Sequence, residues 1–145
     1  MLEALSTPLN RQRTYLLLAL CAALAVVSGV IGISDNPPGL LCAFLSAVAF
    51  FLAFAHPWKT TIQFRRLFRL AGLSFIVSVA LHIVFDLLAA RAGHPGLIRG
   101  LLNGAGAVFF VVALLLCPPG LFVGAVGAVI MYWRTRHPHS STTPA

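Results

Sequence analysis

Runs of apolar residues with almost no charge, each long enough to cross a lipid bilayer, constrain this chain more than any other feature. Tyr15 to Ile33 holds no charged residue, and Leu101 to Trp133 is interrupted only by Asn103 and Cys117-Pro118-Pro119-Gly120. Blocks of about 18 or more apolar residues read as membrane-crossing helices. Composition agrees: 59% of the 145 residues are hydrophobic and 9% charged, against about 45–50% and about 25% in soluble domains. A water-soluble fold of this size could not cover so much apolar surface. The fold class is therefore all-α, a polytopic helical membrane protein.

Punctuation divides the blocks into five spans. A polar lead, residues 1–13, precedes a single transmembrane domain, residues 14–134, and a polar tail, residues 135–145. The spans fall at about 14–34, 39–57, 67–90, 98–116 and 119–134. The first is longer than a secretory h-region and no A-x-A-like site closes it, so it reads as a retained span. As one helix, Leu101–Trp133 would be about 50 Å long, against about 30 Å of hydrocarbon. Pro118 and Pro119 supply a turn there, as Pro37 and Pro38 do after span 1, because proline lacks the N–H that a helix interior needs. The alternative is four spans. The positive-inside rule prefers it, since it places eight basic residues on one side and two on the other.

The Pro-Pro-Gly-Leu at 37–40 recurs at 118–121, and each copy is followed by His-Pro, at His56-Pro57 and His137-Pro138. Small residues four apart follow each turn: Gly39, Ala43 and Ala47, then Gly120, Gly124 and Ala128. Such edges let a neighbouring helix approach closely. With five spans, the two hairpins form an inverted repeat around a central helix, an architecture found in transporters.

Span 3 carries the polar stripe of the membrane part, Ser74, Ser78, His82 and Asp86, one residue every four. An ionisable group inside a span is costly and is a functional-site candidate by default. All four are therefore expected to face protein or a water cavity rather than lipid. His can bind or relay a proton near neutral pH, and Asp86 one turn away can accept its hydrogen bond. The plainer expectation is that the pair fixes helix packing.

The net charge of +7 does not point to nucleic acid, because most basic residues flank apolar blocks, where topogenic charges belong. Cys21, Cys42 and Cys117 show no metal-ligand spacing and read as small hydrophobes. Tyr15, Trp58, Tyr132 and Trp133 sit at block ends as interfacial anchors. No catalytic motif, metal site or cofactor signature is present, so an enzyme is not expected. The expectation is a multi-pass protein of the inner (plasma) membrane with a cytoplasmic N-terminus, in contact with the lipid bilayer and either self-associating or bound to a membrane-protein partner. Its role is a non-enzymatic packing or accessory subunit; the alternative is a small proton- or ion-linked transporter or channel-like protein using span 3.

Overall fold

The computed structural model describes residues 7–33, 36–92 and 96–136. They form four helices: α1, Pro8–Ile31; α2, Pro37–Ala55; α3, Thr61–Arg91; and α4, Leu97–Arg136. All four are long and apolar enough to cross a membrane. The lead thus contributes its last residues to α1, and α3 starts six residues before the expected span. Residues 34–35 of the turn expected at 34–39 and residues 93–95 of the loop expected at 91–100 lie outside the described residues, as does His137-Pro138.

The count of five is not met, and the difference lies in α4. Pro118 and Pro119 sit inside a helix that continues for 40 residues. The helix accommodates them by widening: Val112–Leu116 winds in π register, with the Cys117 N–H bonded to the Val112 carbonyl. A wider turn relieves the clash between a proline ring and the carbonyl one turn earlier. It does not replace the two missing N–H donors, so the turn before the prolines keeps carbonyls without an intrahelical partner.

Pairing with α3 shows why so long a helix needs no turn. A Cβ on Gly106 would meet Phe85 and Asp86, one on Gly120 would meet Ala71, one on Gly124 would meet Phe68, and one on Gly127 would overlap Phe64. The helices are antiparallel and stay in register throughout. The apolar part of α3 between Arg69 and Arg91, about 30 Å at 1.5 Å per residue, therefore faces roughly residues 101–121 of α4. Beyond that, α4 packs on the basic first turns of α3, Thr61–Arg69. The length estimate failed because it assigned every apolar residue to the hydrocarbon. The segment after Gly120 is apolar because it covers Phe64, which is buried with Ala55 and Val123, and Leu67 and Trp58, which pack half-buried against that cluster.

With four antiparallel helices, α2 and the Pro118 segment run in the same direction. Pro118 and Pro119 are not a turn, so α1–α2 has no inverted counterpart. Pro37 and Pro38 are the first two residues of α2, where their missing N–H groups cost nothing. The tight conformation lies at Gly32, with φ +86°, and Gly39 is a point of close approach: a Cβ there would overlap the Gly32 carbonyl.

The α1–α2 hairpin is joined along a seam that repeats every seven residues. The Thr14 hydroxyl lies 3.3 Å from the Ala53 carbonyl. The Ser46 hydroxyl donates to the Cys21 carbonyl at 2.9 Å. Its proton is thus committed, so the Cys21 thiol, 3.4 Å from Ser46 Oγ, donates back. The Ser28 hydroxyl donates to the Gly39 carbonyl at 2.9 Å. Thr14, Cys21 and Ser28 face Ala53, Ser46 and Gly39 in turn, the 3.5-residue period of helices that wrap around each other. Cys21 is therefore a hydrogen-bonding member of the seam.

The small-residue edges pack within the chain. Gly39 and Ala47 are buried on α2, and Gly120 and Gly124 on α4. Ala43 is half-buried, and Ala128 packs against the core cluster. Gly124→Ala should cost about 1–3 kcal/mol, because the new methyl would lie 2.8 Å from the Phe68 backbone nitrogen, which cannot yield. Gly104→Ala, with nothing within 4 Å, should be neutral or slightly stabilising. Thermal denaturation of the two purified variants in detergent checks the difference.

Candidate functional site

The four-residue spacing of Ser74, Ser78, His82 and Asp86 does not hold one face. Four residues advance a helix by about 40° past a full turn, so the stripe drifts by a third of a turn over its length. Ser78 is buried and His82 half-buried against α4, whereas Ser74 and Asp86 are exposed. The two middle positions, Ser78 and His82, are thus the ones turned toward protein.

His82 and Asp86 form a defined pair. His82 Nδ1 lies 3.1 Å from the Gly106 carbonyl oxygen on α4. A carbonyl can only accept, so Nδ1 carries a proton and donates. The other ring nitrogen, Nε2, is 3.6 Å from Asp86 Oδ2. In a neutral imidazole that nitrogen is an acceptor, and so is a carboxylate oxygen. The approach is attractive only when one proton lies between them, as imidazolium beside carboxylate or as imidazole beside carboxylic acid. The arrangement sets an imidazole nitrogen beside a carboxylate one turn along α3, an ion pair only when the imidazole is protonated. Phe110 closes one side, its ring centroid 5.1 Å from that of His82. The side chain of His82 is 29% exposed and that of Asp86 55%, so the pair is open on the Asp86 side.

Glycine at 106 makes this geometry possible. A Cβ there would stand 2.8 Å from Asp86 Oδ1 and 3.6 Å from His82 Nδ1. No sequence pattern singled out Gly106; in retrospect it belongs to the run Gly100, Gly104 and Gly106, an unusual density of glycine in one helix. Asn103, the other polar residue of that segment, is exposed.

At the opposite end of the bundle, three buried side-chain atoms have no hydrogen-bond partner among the described residues: His56 Nε2, Trp58 Nε1 and Gln63 Oε1. His56 and Trp58 line a cavity of about 330 Å³ between α2 and α4, with Arg134 among its other lining residues. Trp58 is half-buried with its ring edge-on to Phe64 at 5.2 Å, so it does more than anchor an interface. A third feature is an open apolar groove of about 600 Å³ between the α1–α2 hairpin and the π-helical turn of α4. Small residues line much of it, including Ala25, Gly29, Gly32, Ala43 and Ala47. Among the described residues, no group of three or more His, Cys, Asp or Glu could hold a metal ion.

Comparison with protein-family models, curated proteins and solved structures finds no match.

The tautomer of His82 is directly measurable. Nitrogen-15 spectra of histidine-labelled protein should show His82 Nδ1 protonated, and Gly106→Ala should shift both ring nitrogens by displacing Asp86. A His82 protonated at Nε2 alone would contradict the geometry.

Proposed function

We propose that the chain is a non-enzymatic packing or accessory subunit, a multi-pass protein of the inner (plasma) membrane with both ends in the cytoplasm. Orientation rests on charge. Arg11, Arg13, Lys59, Arg65, Arg66, Arg69, Arg134 and Arg136 belong to one end of the bundle and Arg91 and Arg99 to the other, and the basic end of such proteins stays inside.

The observation that carries the accessory role is the groove between the α1–α2 hairpin and α4. The Gly120 edge is covered within the chain, but Ala25 and Gly29 of α1 line an open groove, with Ala43 and Ala47 of α2 at its floor. Where helices gain nothing by leaving water, smooth backbone-exposing surfaces favour close helix contact. The groove fits one helix, of a second copy or of another membrane protein. Gly29 offers a clean test, since nothing lies within 4 Å of a Cβ there. Gly29→Leu should leave the chain folded while reducing cross-linked assemblies in membranes at least several-fold. Unchanged cross-linking would show that the groove faces lipid.

The second reading is a small proton-linked transporter, favoured by the His82–Asp86 pair. Asp86→Asn keeps shape and removes the exchangeable acid. In reconstituted vesicles a transporter should lose pH-driven flux on this substitution. An accessory subunit should assemble as before, and neither protein should show flux.

A further inference from the structure

We infer that the basic end of the bundle holds one anionic phospholipid, its headgroup bonded by His56, Trp58 and Arg134 and its chain laid along the cleft between α2 and α4. This rests on the chain crossing a membrane, and it is independent of the accessory or transport role.

Charge is the first observation. Eight cations occupy this end, and the sole carboxylate among the described residues, Asp86, is at the other. No carboxylate lines the cavity that Arg134 borders. A membrane leaflet offers this end a complementary charge as lipid phosphate. Basic pockets between transmembrane helices suit such headgroups.

Unmet hydrogen bonds are the second. His56 Nδ1 lies 3.1 Å from the Ala53 carbonyl, so it carries a proton, and in the neutral ring Nε2 is then an acceptor. Trp58 Nε1 is a donor only. Both atoms are buried without a partner, on residues lining the same cavity. A buried polar atom left unpaired costs about 1–3 kcal/mol, so the site is built for an occupant with both an acceptor and a donor. A phosphate oxygen takes the Trp58 N–H and the Arg134 guanidinium. A headgroup hydroxyl donates to His56 Nε2. Phosphatidylglycerol has both groups; phosphatidylcholine has the phosphate but no hydroxyl, and its own cation opposes Arg134.

Depth and shape are the third. The lining continues from His56, Trp58 and Arg134 to the apolar side chains of Leu52, Phe122 and Val126, which lie further from the basic end along α2 and α4. A polar head over an apolar channel matches a lipid at the leaflet surface and not a free anion.

The test is lipid retention. The full chain is purified from nanodiscs containing equal phosphatidylglycerol and phosphatidylcholine, and bound lipid is read by native mass spectrometry. One retained phosphatidylglycerol is expected. Trp58→Phe keeps the ring against Phe64 and removes the N–H; Arg134→Gln removes the charge. Each should lower retention roughly tenfold, the effect of losing one hydrogen bond to a charged group. Arg13→Gln, a cation of the same end that does not line the cavity, should change nothing. Equal retention of the two lipids would overturn the proposal, as would wild-type retention by both cavity variants, or a loss in Arg13→Gln equal to that in Arg134→Gln, which would mean diffuse attraction. Glycerol phosphate added at excess should not displace the lipid; displacement would make the site one for a free anion. A chain that washes off membranes at high pH would instead refute the membrane-crossing premise.

Discussion

Close approach of helix backbones in a medium that offers no hydrophobic drive for association is the constraint on which this structure depends. Lipid tails are as apolar as leucine, so helices gain from van der Waals contact and interhelical hydrogen bonds rather than from escaping water. Both modes appear, in different hairpins. The α1–α2 pair uses hydroxyl and thiol groups every seven residues, ending at the contact of Gly39 with the Gly32 carbonyl. The α3–α4 pair uses glycine, with Gly106, Gly120, Gly124 and Gly127 each under a residue of α3. Individual hydrogen bonds of this kind contribute only about 0.6 kcal/mol, so the seam acts chiefly by fixing register. The hairpins are joined by Phe51 against Gly120, by the edge-on rings of Phe44 and Phe122, and at the basic end by the cluster of Ala55, Phe64 and Val123. This thinner contact is what leaves the groove beside the π-helical turn open.

The helical class and the position of the first three crossings are legible in the sequence because long uncharged runs leave few alternatives. The crossing count was less so. Pro118-Pro119 reads as a stop in any helix exposed to water, but a π-helical turn before it absorbs the rings and the helix goes on. The distribution of arginine had favoured four, and four long apolar helices are what the chain forms. The apolar residues after Gly120 misled for a physical reason. Their partners are Phe64, Leu67 and Trp58, in a segment that is polar by composition and buried on one face.

Of the candidate site, the proximity of His82 and Asp86 followed from a spacing of four. What it could not give was the partner on α4. The Gly106 carbonyl decides which ring nitrogen is protonated, and a backbone carbonyl has no sequence signature. The same holds at the basic end. His56 and Trp58 look like ordinary interfacial residues until the fold buries their ring nitrogens over a cavity. The seven-residue recurrence of Thr14, Cys21 and Ser28 against Gly39, Ser46 and Ala53 was present in the letters. A search for small residues at spacing four passes over it.

Continuity of α4 through Pro118 and Pro119 underlies the four crossings, the shared side of the two ends and the placement of both sites. It is tested by the distance between spin labels at positions 104 and 129, both exposed, in a chain whose three cysteines are replaced by alanine. A continuous helix places the two backbones about 37 Å apart, at 1.5 Å per residue. A turn at the prolines would fold the two segments side by side and bring the labels to roughly 10–15 Å, near the spacing of packed helices. The long distance is the expected result; the short one would contradict the account and restore five spans.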